Sequence, residues 1–461
     1  MSGSASRPTL TPMSKRVIIV GAGLAGCLLA VYLARVGWNV DLRERRGDPR
    51  DRGQVAGRSI NLAISARGLK ALRRAGLEDV ILQHAIRMPG RMIHSRSGDL
   101  AFQNYSSDPT HAIQSVSRSA LNLALLNAAA AESRVTMTFH QRCSHLDAAL
   151  GSVSFIDDNT SQQSSVTADL IVGADGAYSA LRGIMQKNEG FDYDQSWLSH
   201  GYKEMCIPAV TSGKHAPFAM EPKALHIWPR GASMMIALPN PDGSFTCTLF
   251  WPNKSTDTNP NGFDSIRDSV IAREHFQREY PDALAMMPTF DHDFATNPVG
   301  AMLTIRCWPW SMRGRAVLLG DAAHAIVPFF GQGANASFED CESLTDALAA
   351  HSDDIPRALA AYEQDRKRNA DAIAEMALTN FVEMRDKTAS RAFRMRKKFE
   401  HFLHGVVPQF YTPRYDMVSF STIPYADALS RSRKQDRVLT ITAIALPLFI
   451  ALAFLVWKMR T

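Results

Sequence analysis

The spacing of apolar residues changes period several times along this chain, and each change marks an element. Val17 to Val20 is a short apolar run, the pattern of a buried parallel strand. LAGCLLAVYLARVG, from Leu24 to Gly37, reads as a helix, and Trp38 to Leu42 returns to a strand. Residues 117–133 (SRSALNLALLNAAAAES) form an Ala/Leu-rich helix, followed by two strand-like runs, VTMTFH and VSFIDD. Between residues 200 and 300 the character shifts. LHIWP, SMMIALP and SFTCTLFWP are short β-like runs divided by Pro, Gly and Asn, which predicts a mostly antiparallel sheet. Residues 336–406 are helical by composition, and Val438 to Trp457 is an apolar stretch of twenty residues without a charge. No internal repeat interrupts this order.

Three Gly/Asp fingerprints sit on these strands. RVIIVGAGLAG (16–26) contains Gly21, Gly23, Ala25 and Gly26 in a G-x-G-x-x-G turn that opens a helix. Gly21 permits the tight turn, Gly23 lets backbone N–H groups approach a pyrophosphate, and Gly26 lets helix and strand pack closely. Glu44 ends the second strand, where a carboxylate can accept from a ribose 2′-hydroxyl, and this argues against a 2′-phosphate. Arg43 and Arg45 flank it, as cofactor contacts or as solvated surface. The second fingerprint, DLIVGADGAYSALR (169–182), places Asp175 and Gly176 after a strand. The third, RAVLLGDAAHAIVPFFGQGAN (315–335), places Asp321 at a strand end and Gly333, Ala334 and Asn335 at the start of a long helix. Backbone N–H groups there suit the flavin pyrimidine carbonyls, where negative charge grows on reduction. His324 is read as structural rather than as a catalytic base. Three fingerprints without a second nucleotide fold point to a single FAD.

Length and charge limit the alternatives. A chain of 461 residues suffices for two or three domains, and a net charge of +6 without a dense basic and aromatic patch argues against a nucleic-acid partner. Six scattered cysteines with no C-x-x-C argue against a metal cluster or a disulfide frame, and Cys27 reads as core packing. The expected division is a disordered lead-in (1–14), an FAD-binding domain (15–199, returning at 301–350), a substrate sheet (200–300) and a helical C-terminal region (351–430). A transmembrane helix (438–457) is expected to follow. Arg431, Arg433, Lys434 and Arg437 precede that span, with Lys458 and Arg460 after it. This predicts a single-pass anchor with the catalytic domain facing the cytosol, at the mitochondrial outer membrane or a bacterial inner membrane. The expected class is thus α/β: a Rossmann-type FAD-binding domain, an inserted mostly antiparallel substrate sheet, a helical C-terminal region and a C-terminal transmembrane helix.

The order of the fingerprints resembles the class A aromatic hydroxylases, single-chain FAD monooxygenases, and several strings are similar to the kynurenine 3-monooxygenase family among them. These include GRSINLAIS (57–65), RMIHSRSG (91–98), SVSR (115–118), LHIWPRGASMMIALPNPDGSFTCTLF (225–250), NFVEMRD (380–386) and RYDMVSFSTIPY (414–425). The resemblance covers about Lys15 to Tyr425. It implies that Arg91 pairs with the substrate α-carboxylate, shared by Tyr105, and that Tyr415 is a second substrate tyrosine. Asn380, Glu383 and Met384 lie on a helix facing the substrate, and Phe329 and Phe330 lie at the ring pocket. Arg118, Ala63, Ala334 and Asn335 correspond to FAD contacts.

Residue chemistry is compatible with those roles. A planar carboxylate suits a bidentate arginine, although Arg91 taken alone reads better as a surface ion pair. Leu225, Met234, Ile236, Leu238 and Phe250 share alternate strand positions, as a ring slot or as ordinary sheet core. The implied reaction uses NADPH and O₂ to hydroxylate L-kynurenine at the ring carbon ortho to its amino group, a step of tryptophan catabolism. The alternatives are a hydroxylase of another aromatic acid, a lipid oxidase, and a membrane-tethered FAD protein without hydroxylase activity. A lipid oxidase has no use for a carboxylate clamp.

Overall fold

The computed structural model describes residues 15–51, 61–257, 259–352, 354–387, 391–407 and 409–460. The expected lead-in 1–14 and the first four residues of GRSINLAIS lie outside them. Among the described residues two large sheets organise the chain. The first has six strands in the order Ser311–Met312, Ala316–Leu318, Leu170–Gly173, Arg16–Val20, Asn39–Arg43, Val135–Thr138. All pairs but the Ser311–Met312 edge are parallel. Val17, Ile18, Ile19, Leu170, Ile171, Val172, Val317 and Leu318 are fully buried, which explains their unbroken apolarity. The helix Leu24–Arg35 packs on this sheet and against Arg118–Ala131 and Gly333–Ala350. The first βαβ unit therefore forms as its local pattern predicts.

The second sheet has seven strands, in the order Gly300–Trp308, Asp192–Ile207, Phe245–Pro252, Met234–Pro239, Leu225–Pro229, Gly90–His94, Leu100–Asn104. It is antiparallel except where Leu225–Pro229 runs parallel to Gly90–His94, pairing Leu225 with Arg91. Strand alternation divides its two faces. Trp228, Met235, Leu249 and Trp251 lie under the helices Ser269–Glu279, Pro281–Leu284 and Phe290–Thr296. Those helices occupy part of the stretch read as sheet from the sequence. Ile227, Met234 and Phe250 turn to the other face, toward the flavin-fingerprint turn and the long helix Ile355–Val382.

The helix-covered face holds a buried polar chain. His94 Nδ1 meets Asp282 Oδ2 at 2.6 Å, His94 Nε2 meets His226 Nδ1 at 2.8 Å, and Trp228 Nε1 donates to Asp282 Oδ2 at 2.9 Å. Burial pushes the His226 imidazole down to about 3, and the neighbouring His94 adds to that effect. An unfolded histidine protonates near ~6.5. Below that pH the unfolded chain binds a proton that native His226 refuses, so this stability is present above ~6.5 and is lost as pH falls toward 3. The urea midpoint is therefore expected to drop between pH ~6.5 and ~4 more steeply in the wild type than in His226→Gln. Superimposable profiles would show that His226 carries none of the dependence.

The expected transmembrane helix is overturned. Among the described residues no helix is long and apolar enough to cross a membrane. Residues 438–457 do not start an element of their own but continue one helix, Tyr425–Arg460. Its first turns are part of the protein body: Tyr425, Ala428 and Leu429 are buried. Its charged stretch is tied there too, through Arg433 to Glu375 and through Asp436 to Arg396 and Arg414. Side chains at 443, 444 and 446–461 lie outside the described residues. The apolar stretch was read apart from the helix it extends, and the single-pass anchor and the cytosol-facing membrane location fall with it.

Candidate active site

Two groups of residues converge beside the end of the parallel sheet. The first is a cradle for a dinucleotide. Gly21 adopts φ +105°, and its backbone N–H donates to the Arg43 carbonyl at 2.7 Å. A Cβ on Gly26 would lie 1.9 Å from the Gly21 carbonyl oxygen, whereas a Cβ on Gly23 would meet nothing within 4 Å. One glycine is thus required by packing, and the other leaves open space over a helix N-terminus without a side-chain cap. Glu44 Oε2 accepts from Ala22 N at 2.9 Å, which fixes the carboxylate at the tip of the turn. Asp175 Oδ2 caps the helix Ala180–Met185 through Ala180 N at 2.7 Å, while its Oδ1 is buried without a partner. Burial raises the Asp321 carboxyl, and Arg118, exposed at the start of its helix, is close enough to oppose that shift. Gly333–Ala350 also begins without a side-chain cap. An open turn, an orphaned carboxylate oxygen and uncapped N–H groups fit a bound FAD.

Three further cofactor candidates have the following surroundings. Arg43 turns away to Asp41, at 3.0 and 3.2 Å, and lies over the Phe155 ring. Arg45 is exposed. The Asn335 side chain is committed to protein: Nδ2 donates to the Ala63 and Gly331 carbonyls at 2.9 and 2.8 Å, and Oδ1 accepts from Ser65 N at 3.0 Å. It straps the Asn61–Ile64 strand to the Gly-rich turn, leaving only its backbone for a ligand. His324 is structural, as expected. Its Nε2 lies 2.6 Å from Asp340 Oδ2, and Arg366 Nε donates to Asp340 Oδ1 at 2.7 Å. These partners overcome the burial of Asp340 and lower its carboxyl to about 2.

The second group is an aromatic and apolar cluster on the sheet face opposite the helices. The Tyr105 and Tyr415 rings stack at 4.9 Å, and Phe330 stacks on Tyr415 at 5.5 Å. Leu225, Ile236 and Leu238 pack with Tyr105 and Tyr415. Met234, Phe250, Phe329 and Met384 pack together around Phe381, which lies 4.3 Å from Phe329. Asn380 is a brace here, with Nδ2 donating to the Phe329 carbonyl at 2.6 Å.

A profile described as FAD binding domain matches residues 14–377. A kynurenine 3-monooxygenase of Stenotrophomonas maltophilia is 45% identical over 426 residues, 92% of each chain. The chain belongs to the kynurenine 3-monooxygenase family. The family's Myxococcus xanthus protein is 45% identical over 431 residues, covering 94% of this chain and 91% of that one. Two solved structures share the fold. They are 2-methyl-3-hydroxypyridine-5-carboxylic acid oxygenase (TM-score 0.65, 22% identity, 83% and 95% covered) and p-nitrophenol 4-monooxygenase from Pseudomonas putida (TM-score 0.66, 18% identity, 92% and 98% covered).

In this kynurenine 3-monooxygenase family member the electrostatics of the pocket centre on Arg91. Its Nε donates to the Gln103 amide at 2.9 Å, and among the described residues no carboxylate forms an ion pair with it. Burial lowers its pKa, opposed by Tyr105, Tyr415 and Glu383 nearby. The Tyr105 hydroxyl is buried beside that of Tyr415, and burial raises its pKa. Such an arrangement is costly unless an anion completes it.

Sequence reasoning missed Arg67. It is buried, donates from Nε to the Val418 carbonyl at 2.9 Å and from Nη2 to the Met417 carbonyl at 3.2 Å, pairs with Glu339 at 2.6 Å, and lies 4.0 Å over the Tyr425 ring. Its signal was a cation at the start of a helix with Ala71 and Leu72 on the same buried side. Phe381 was also missed, although it stands four residues after Ala377 and three before Met384 on one helical face.

Proposed function

We propose that the Arg91 guanidinium and the Tyr105 and Tyr415 hydroxyls receive the carboxylate of L-kynurenine, with its aminophenyl ring in the slot lined by Leu225, Ile236, Phe329 and Phe330. The half-buried Arg91 cation, without an ion-paired carboxylate among the described residues and beside the Tyr105 and Tyr415 hydroxyls, carries this reading. Glu383 then stands on the side of the α-ammonium, where opposite charges attract. The overall reaction consumes L-kynurenine, NADPH, O₂ and a proton, and yields 3-hydroxykynurenine, NADP⁺ and water.

When bound, FAD supplies hydride acceptance from NADPH and activation of O₂. The chain supplies position. The ring amine already activates the ortho carbon, so no strong protein base is required. Phe329, Phe330, Phe250 and Met384 keep water from that carbon, and the carboxylate clamp sets its distance from the Gly-rich turn. Residues 15–199 and 301–350 serve chiefly the cofactor, with substrate-site elements near 91–105 and at Phe329 and Phe330; the sheet within 200–300 serves the substrate, and 351–430 closes over both.

The test is NADPH oxidation by purified, FAD-loaded protein. L-Kynurenine is expected to stimulate it, with 3-hydroxykynurenine formed in proportion. Stimulation by anthranilate-like acids but not by L-kynurenine would redirect the reading to another aromatic acid. NADPH oxidation that no aromatic acid stimulates would leave an FAD protein without hydroxylase activity.

A further inference from the structure

Ser106 and Asp416 stand next in sequence to the two tyrosines of the pocket, and the Ser106 hydroxyl donates to Asp416 Oδ1 across 310 residues of chain. Both side chains are buried, at 5% and 4% exposure. His111 joins them: its Nδ1 is 3.0 Å from Ser106 Oγ and 3.6 Å from Asp416 Oδ1. Its other nitrogen, Nε2, faces Asp108 at 3.7 Å. The His111 ring stacks on Phe420 at 4.6 Å, and Phe420 meets the Tyr415 ring edge-on at 6.0 Å.

Tyr105 follows the edge strand Leu100–Asn104, and its backbone N–H donates to the Pro89 carbonyl at 3.0 Å, which ties its main chain but not its ring. Tyr415 lies on the six-residue helix Arg414–Ser419, whose far side Arg67 holds by the Met417 and Val418 carbonyls. The near side, facing Tyr105, is held by Asp416. We propose that Ser106, Asp416 and His111 form a latch that keeps Tyr105 and Tyr415 stacked in register for the substrate carboxylate. Asp416 is a positioning residue: it acts through the two tyrosines. The inference rests on the carboxylate-pocket reading above.

The experiment compares L-kynurenine with the amine left when its carboxylate is removed, using FAD-loaded wild type, Asp416→Asn, Ser106→Ala and Ser106→Thr. In Asp416→Asn and Ser106→Ala, KM for L-kynurenine is expected to rise about tenfold with kcat within about twofold, the size of one hydrogen bond to a charged group. KM for the amine, the flavin content and the melting temperature should stay near wild type. Ser106→Thr, which restores the hydroxyl, should recover most of the loss. An equal rise for both substrates, or an undiminished preference for L-kynurenine, would overturn the latch. If Asp416→Asn fails to fold, Ser106→Ala decides the matter, because it removes only a hydroxyl. A wild type that does not prefer L-kynurenine over the amine would instead bring down the carboxylate pocket itself.

Discussion

Arg91→Ala is expected to raise KM for L-kynurenine roughly 30- to 150-fold, because a charge-assisted bidentate pair contributes about 2–3 kcal/mol. Flavin content should not change, since the arginine lies on the Gly90–His94 strand of the substrate sheet, in a different sheet from the dinucleotide cradle. The structure explains why the effect should fall on binding. Arg91 is held by one neutral amide, Gln103, and its charge is otherwise uncompensated by an ion pair among the described residues. On the proposed reading, the substrate carboxylate supplies the partner that Arg91 lacks among the described residues. Arg91→Lys should recover little, because an ammonium cannot present two parallel N–H groups to a planar carboxylate. Steady-state kinetics on FAD-loaded variants checks this, and an unchanged KM in Arg91→Ala would remove the residue from the carboxylate site.

Gly26→Ala should abolish stable FAD binding. The added methyl would stand 1.9 Å from the Gly21 carbonyl oxygen, a backbone atom that cannot swing aside. Gly21 is itself hemmed in, with a built Cβ only 2.6 Å from the Ala174 carbonyl, so the turn has no room to retreat. Either the helix Leu24–Arg35 lifts from the sheet or the pyrophosphate turn opens, and both misplace the N–H groups that meet the phosphates. The variant is expected to purify colourless, with little flavin released by acid from the precipitated protein. A normally yellow Gly26→Ala protein would contradict the cradle. Gly23→Ala is the informative partner: its Cβ meets no protein atom, so any loss of flavin there comes from the ligand side.

The parts of the fold that were legible in the sequence were those set by neighbours along the chain. Val17 to Val20, the glycine turn and the following helix form one local unit, and period and glycine spacing define it. Strand alternation likewise grouped Leu225, Met234, Ile236, Leu238 and Phe250, which lie apart from the cluster under the helices. Pairing over distance was not legible. Nothing near Arg91 announces that its strand runs parallel to Leu225–Pro229, yet that pairing places the arginine beside the slot. The polar roles divided in the same way. Glu44 was found because its distance from the turn is fixed by one βαβ unit. Asn335 was named as a flavin contact, but that its side chain straps Ala63, Ser65 and Gly331 together was not legible, since sequence position cannot distinguish a side chain from its backbone. The apolar stretch near the C-terminus was misread because its composition was weighed without the charged, ion-paired turns that lead into it.

The buried Arg67 also constrains the order in which the molecule can be made. Its helix is synthesised early, yet the carbonyls that satisfy its guanidinium belong to Met417, Val418 and Ile423, about 350 residues later. Until those arrive, the amino-terminal half carries a cation that it cannot bury without loss. The first βαβ unit can assemble while the chain is still growing, but the separate helix Ala66–Arg74, which carries Arg67, lacks these partners until then. Tyr415 and Asp416 come on the same late segment. Packing around Arg67 and stacking of Tyr105 on Tyr415 thus both depend on residues 414–423.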